Sequence, residues 1–175
     1  VDTKYIDGVF GSNHDQTRIM STMEGNQSKA KLVANIYMTL PGNPYIYYGE
    51  ELGMKGSGID EYKRTPFLWG KDEKCNTTWE EDDQNPDTPA YAEQKDDEAS
   101  MYNFYKTLIQ KRKSSKALMY GDYKAVNTDN EAIMAYTRTY GDEKVTVIHN
   151  LSGDAVDVAV NGEDVAVGAY GTVFK

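Results

Sequence analysis

The sequence predicts an α/β segment followed by a small all-β domain, and three features predict it. Residues 5–48 run as a short apolar stretch, an amphipathic stretch and a second short apolar stretch; a further amphipathic helix covers 97–113; from Ala117 onward, short Val-, Ile- and Thr-rich runs alternate with evenly spaced turn signals.

In chain order, Tyr5–Gly11 is largely apolar and ends on Gly11-Ser12-Asn13, the pattern of a buried strand. Ser28 is placed to cap a helix whose Leu32, Val33, Ile36, Tyr37 and Leu40 fall on one face, and Pro41-Gly42 stops it. Tyr45–Tyr48, bounded by Pro44 and Gly49, reads as a second buried strand. Strand, helix and strand within about 45 residues make a βαβ crossover, hence parallel strands.

Residues 53–97 show no sustained period, are rich in Gly, Pro, Asp, Glu and Asn, and hold both tryptophans, Trp69 and Trp79. Loops of this length are functional or disordered. Nine of the 28 acids lie between Glu80 and Glu98, and a solvated acidic face is preferred there to a calcium site. The helix over 97–113 sets Met101, Tyr105, Leu108 and Arg112 on one side; its acidic start and its Lys111-Arg112-Lys113 end suit the helix dipole. Strands are expected at Tyr120–Val126, Ala132–Thr139, Lys144–Asn150, Ala155–Val160 and Gly171–Phe174. Between them stand Asp129-Asn130, Gly141-Asp142, Ser152-Gly153 and Asn161-Gly162, so the domain is an antiparallel sandwich or barrel with its boundary at 114–116.

Composition narrows the function. With 39% hydrophobic and 27% charged residues a packed core is expected over disorder. A net charge of −9 argues against nucleic acid, which needs a basic footprint, and against an anionic membrane surface, while a neutral ligand is not repelled. The fourteen tyrosines suit sugar faces as well as cores. Cys75 stands alone, so no intramolecular disulfide, zinc cage or thiol relay is implied. No apolar run approaches the roughly 18 residues of a membrane span. The chain opens on Val1 rather than Met and enters an apolar stretch almost at once, so its start is read as a cut that leaves the compartment open.

Asn13-His14-Asp15 at the end of a strand is the chemical candidate, because functional side chains of alternating strand–helix barrels sit at strand C-termini. The run Gly8-Val-Phe-Gly-Ser-Asn-His14-Asp15-Gln-Thr-Arg18 resembles the fourth conserved block of the α-amylase family of glycoside hydrolases, at the end of its seventh barrel strand. Leu40-Pro-Gly-Asn-Pro44-Tyr-Ile-Tyr-Tyr48-Gly-Glu-Glu51-Leu-Gly-Met is similar to that family's eighth-strand block, and Arg64-Thr-Pro-Phe-Leu-Trp69 to a signature in the loop that follows. Leu108-Ile-Gln-Lys-Arg112 and the β-domain continue the resemblance in order over essentially the whole chain.

The resemblance implies the last two strand–helix units of a (β/α)8 barrel, incomplete here, over residues 1–114, then a small antiparallel β-sandwich over 115–175. It implies an α-amylase-type enzyme performing retaining hydrolysis of α-1,4-glucosidic bonds in starch or maltooligosaccharides. Asp15 matches the catalytic carboxylate that stabilises an oxocarbenium-like transition state, where a fixed negative charge helps more than it does in the neutral ground state. His14 matches the imidazole that binds a hydroxyl of the same sugar, and Arg64 a substrate-binding position that contacts the terminal glucose in some exo-acting relatives. Arg18 is expected to be a structural ion-pair partner. Glu50 and Glu51, adjacent on an extended segment, point to opposite sides, with Glu51 anchoring the loop. Phe67, Trp69 and Trp79 are expected to pack the loop in preference to stacking on sugar.

The resemblance assigns no cofactor and no metal to this segment, calcium being compatible only with a full-length enzyme. The expected partners are an α-glucan or maltooligosaccharide and the missing N-terminal part of the barrel, with self-association of the fragment through its uncovered strands. A retaining glycosidase needs a nucleophile and a general acid roughly 5–5.5 Å apart, and the family's blocks for both lie upstream of Val1, so the chain alone is expected to be inactive. The alternatives are an α-glucosidase or transglycosylase of the same family, or a non-catalytic carbohydrate-binding or structural module.

Overall fold

The computed structural model describes residues 6–71, 74–77 and 80–175. In chain order the elements are β1 (Gly8–Phe10), α1 (Ile19–Thr22), α2 (Gln27–Thr39), β2 (Asn43–Tyr45), a 3-10 turn at Glu50–Leu52, α3 (Asp60–Lys63), α4 (Tyr91–Gln94), α5 (Met101–Ser114) and α6 (Lys116–Tyr120). Six strands follow: β3 (Asp122–Val126), β4 (Ile133–Tyr140), β5 (Glu143–Asn150), β6 (Val156–Val160), β7 (Glu163–Val167) and β8 (Thr172–Phe174). Two compact units are formed, one from Val1–Val9, Ala34–Pro44 and Ile109–Lys175, the other from Phe10–Val33 and Tyr45–Leu108.

In the first unit, β3-β4-β5-β8 make an antiparallel sheet and β6-β7 a separate hairpin. Ile133, Ala135 and Ile148 of the sheet close a core with Val158, Val160, Val165 and Val167 of the hairpin, so the two layers form a small sandwich. The β6-β7 turn is Asn161-Gly162 with φ of 53° and 85°, the left-handed pair that a tight hairpin requires. The sheet's other face buries Tyr136 and Val147 against Leu118, with Leu40 from beyond α2 packed on them.

Polar side chains tie this face down. The Tyr136 hydroxyl lies 2.6 Å from Thr39 Oγ1 and 3.1 Å from His149 Nε2, and His149 Nδ1 lies 2.8 Å from Thr172 Oγ1. Burial pushes the His149 imidazole down to about 4, so it is neutral at pH 7 and relays hydrogen bonds rather than charge. The last carbonyls of a helix have no intrahelical partner; two buried arginines supply it. Arg112 donates to the carbonyls of Met38, Leu40 and Gly42 at 2.7, 3.1 and 2.6 Å, and Arg138 to those of Thr39 and Gly121. At Gly42, φ is 103° and a Cβ would stand 2.6 Å from the Asp7 carbonyl, to which Asn43 N–H donates. Only glycine lets the chain pass there.

In the second unit the aperiodic stretch is ordered by amide side chains. Asn85 is buried, accepts from Lys55 N–H at 2.7 Å and donates back to the Lys55 carbonyl at 2.9 Å. Gln94, also buried, donates to the carbonyls of Leu52 and Pro89 and accepts from Tyr102 N–H. These bonds do for irregular backbone what a ladder does for a sheet.

Met101, Tyr105, Leu108 and Arg112 are buried, as the helix pattern predicts. Several boundaries differ. Asn26 rather than Ser28 caps α2, its Oδ1 accepting from Lys29 N–H, and Ser100 Oγ caps α5 by accepting from Asn103 N–H. The strand expected at Tyr45–Tyr48 is Asn43–Tyr45, and that at Tyr5–Gly11 is Gly8–Phe10, Tyr5 lying outside the described residues. Neither is buried: Phe10 is 45% and Tyr45 61% exposed. Lys116–Tyr120 is a helix capped by Ser115, and the strand β7 is one that the pattern of turn signals does not predict.

Candidate active site

β1 leads into a turn closed by Asn13, whose Oδ1 accepts from the N–H groups of Asp15 and Gln16 at 2.9 and 3.1 Å. Such a side-chain turn lets the backbone leave the strand sharply and sets the next two side chains at the surface. His14 and Asp15 are 63% and 66% exposed, with His14 Nε2 3.3 Å from Asp15 Oδ2. Arg64, 49 residues further on, reaches the same place: its Nη2 donates to Asp15 Oδ1 at 2.9 Å and its Nε to the His14 carbonyl at 3.1 Å. The three expected residues are thus brought into one cluster.

Two further side chains belong to it. Arg64 Nη2 also donates to Asp60 Oδ2 at 2.9 Å, and Lys63 Nζ lies 2.8 Å from Asp60 Oδ1 and 3.0 Å from the Asp15 carbonyl oxygen. The Lys63 hydrogen bond, and then the Arg64 charge, hold the Asp60 carboxyl below the ordinary carboxylate range. The spacing Asp60-x-x-Lys63-Arg64 is that of neighbours on a helix face, a signal legible once 60–63 is read as helical. The Arg64 pairs with Asp15 and Asp60 are exposed, and exposed ion pairs contribute little to stability. The cluster therefore orders charge at the surface more than it holds the fold.

Beneath it lies a support that aims Arg64. Tyr47 Oη donates to the Lys63 carbonyl at 3.1 Å and Tyr48 Oη to the Thr65 carbonyl at 2.9 Å, gripping the chain on either side of Arg64. Burial pushes the Tyr47 phenol up to about 12, so it stays a donor at any working pH. Both rings cover the Arg18 guanidinium, at 4.6 and 4.9 Å, and Arg18 Nη1 donates to the Tyr48 carbonyl at 2.6 Å. Arg18 is fully buried, and its Nε and Nη2 have no hydrogen-bond partner among the described residues. Among the described residues stacking takes the place of the ion pair expected of it; burial lowers its pKa, and the nearby Tyr47, Tyr48, Glu50 and Asp82 oppose that shift.

Glu50 and Glu51 are not on extended backbone but in the 3-10 turn. Buried Glu50 accepts from Ser12 Oγ at 2.6 Å, and Glu51 Oε2 accepts from Gly49 N–H at 2.8 Å, which anchors the loop as expected. Desolvation raises the Glu51 pKa. Phe67 packs on Trp69 at 4.4 Å between centroids, and Trp69 on Tyr91 at 5.9 Å, so packing occupies these rings as expected. Trp69 remains 37% exposed beside an open cavity of about 810 Å³, and Trp79 lies outside the described residues. Asp82, in the acidic stretch, is taken up by Asn85 Nδ2. Among the described residues no three His, Cys, Asp or Glu side chains converge as a metal would require, and no helix is long and apolar enough to cross a membrane.

Residues 1–121 match the family model described as alpha amylase, catalytic domain, and residues 133–173 the one described as alpha-amylase SusG C-terminal domain. Alpha-amylase 3 of Dictyoglomus thermophilum is 42% identical over 156 residues, covering 86% of this chain and 31% of that protein. An oligo-1,6-glucosidase of Bacillus cereus is 31% identical over 193 residues, covering 83% of this chain and 34% of that protein. The crystal structure of an alpha-amylase from H. orenii superposes with a TM-score of 0.90 at 31% identity, over 98% of this chain and 40% of that one. The chain thus spans about a third of the length of the curated relatives it matches.

Proposed function

The chain belongs to the α-amylase family of glycoside hydrolases, and from that premise we propose that it is the C-terminal part of an enzyme that hydrolyses α-1,4-glucosidic bonds in starch or maltooligosaccharides with retention. In this reading residues 1–114 are the last two strand–helix units of a (β/α)8 barrel and 115–175 a C-terminal β-domain. The uncovered apolar side chains Phe10 and Tyr45 support it, since barrel strands are buried when the neighbouring strands are in place. The remainder of the barrel is then both the partner of this segment and the source of the nucleophile and general acid.

One observation carries the site: Asp15, His14 and Arg64 meet at 2.9–3.3 Å although the sequence separates them by up to 50 residues. Asp15 supplies the negative charge that faces the positive charge developing at the anomeric carbon. Its second oxygen, Oδ2, faces His14 Nε2 at 3.3 Å, and both side chains are exposed enough for sugar hydroxyls to reach them, while Arg64 fixes Oδ1 and offers its remaining donors to substrate. No cofactor enters from this segment.

The oligo-1,6-glucosidase likeness supports a second reading, cleavage of α-1,6 bonds, at lower identity than the amylase likeness. The two are separated by initial rates on maltotetraose and isomaltose in the enzyme that carries this segment. We expect maltotetraose to be hydrolysed at least about tenfold faster, a pocket difference of about 1.4 kcal/mol. A ratio inverted in favour of isomaltose would replace the first reading by the second.

A further inference from the structure

We propose that Lys63 is a positioning residue for the Asp15 carboxylate, acting through the Asp15 backbone and through Asp60. The inference rests on the reading of Asp15 as the transition-state carboxylate. Lysine is among the residues least often fully buried, yet Lys63 is 8% exposed, and its ammonium lies 3.0 Å from the Asp15 carbonyl oxygen and 2.8 Å from Asp60 Oδ1. The other Asp60 oxygen holds Arg64 Nη2, and that same nitrogen holds Asp15 Oδ1. The contacts close a ring: Lys63 on the main chain of Asp15, Arg64 on its side chain, Asp60 joining the two cations.

The ring matters because Asp15 has few other restraints. Its side chain is 66% exposed, and an exposed aspartate exchanges rotamers freely unless something fixes it. The Arg64 pair alone is a surface ion pair and a weak restraint. Lys63 is the buried member, and its three N–H groups point in different directions, so one ammonium serves a carbonyl and a carboxylate that do not lie in one plane. Without it the Asp15 backbone loses an anchor, and Asp60 turns its whole charge on Arg64, drawing that side chain from Asp15. A carboxylate that stabilises only the transition state is felt in kcat, and a small misplacement is enough.

The test is steady-state hydrolysis of a maltooligosaccharide by the enzyme that carries this segment, with Lys63→Met and Lys63→Arg. Lys63→Met should lower kcat about tenfold or more with KM changed less than about threefold, and Lys63→Arg should recover part of the loss, because a cation returns to both acceptors. Unchanged kcat, a rise in KM alone, or equal impairment of both variants alongside a lowered Tm would each overturn the role. If Lys63→Met does not fold, exposed Asp60→Asn replaces it; it should show the same drop in kcat, and an unaltered kcat overturns the proposal. If Asp15→Asn leaves turnover unchanged, the reading of Asp15 fails and the inference falls with it. If Asp15→Asn lowers turnover and the Lys63 variants do not, the inference alone fails.

Discussion

Asp15→Asn in the enzyme that carries this segment is expected to lower kcat by about 10²–10³, the usual loss when one preorganised electrostatic stabiliser is removed. The amide keeps the shape of the carboxyl group and an oxygen for Arg64, but loses the charge that opposes an oxocarbenium-like centre. KM should move little, since the neutral ground state gains far less from that charge than the transition state does. The fold should be indifferent: the side chain is 66% exposed and its ion pairs are of the kind that contribute at most about 1 kcal/mol. Turnover of a maltooligosaccharide and the thermal midpoint, measured on the same samples, check both halves. Near-equal turnover removes Asp15 from the chemistry, and a large fall in Tm would make it a structural residue.

The largest stability effect is expected at Arg112. Its guanidinium serves three carbonyls at the end of α2 and just beyond, those of Met38, Leu40 and Gly42, from a side chain 7% exposed. Arg112→Met keeps most of the apolar stem but strands those three acceptors; at about 1–3 kcal/mol each, offset by release from burying a charge, the net loss should be about 3 kcal/mol. Arg112→Lys should recover less than half, because a single ammonium cannot present the planar fork that reaches all three oxygens. Urea unfolding reads this as a lower midpoint at unchanged slope. A loss under about 1 kcal/mol would show that water or a backbone shift satisfies the carbonyls instead.

Much of this architecture is legible in residue order, and its limits have physical causes. The face of α5 is legible because Met101, Tyr105, Leu108 and Arg112 recur at helical spacing along a helix of fourteen residues. The Asn161-Gly162 turn is legible because two successive left-handed residues select those types. β7 escapes because Glu-Asp-Val-Ala-Val has only two apolar positions that face the core, Val165 and Val167. α3 and α6 escape because four or five residues are too few to show a period.

At the site, Asp15 and His14 announce themselves through the strand-end block, and Arg64 through its own signature. Lys63 and Asp60 do not, since charged residues in an aperiodic loop read as solvated surface until the fold puts the ammonium of one beneath the carbonyl of Asp15. The burial of Arg18 under two tyrosine rings is likewise a tertiary property: the rings that cover it stand about 30 residues away in the chain. The exposure of β1 and β2 is invisible to a pattern, because an apolar run reports what a strand prefers and not whether neighbours are present to cover it.

In the proposed function Asp15 serves a retaining enzyme whose nucleophile and general acid come from the rest of the barrel. Two displacements at the anomeric carbon return the starting configuration, whereas a single displacement by water inverts it. The direct measurement is proton NMR of the reducing-end product in the first minutes of maltotetraose hydrolysis, before mutarotation, by the enzyme that carries this segment. The α-anomer appearing first is the result predicted here; the β-anomer appearing first would contradict it.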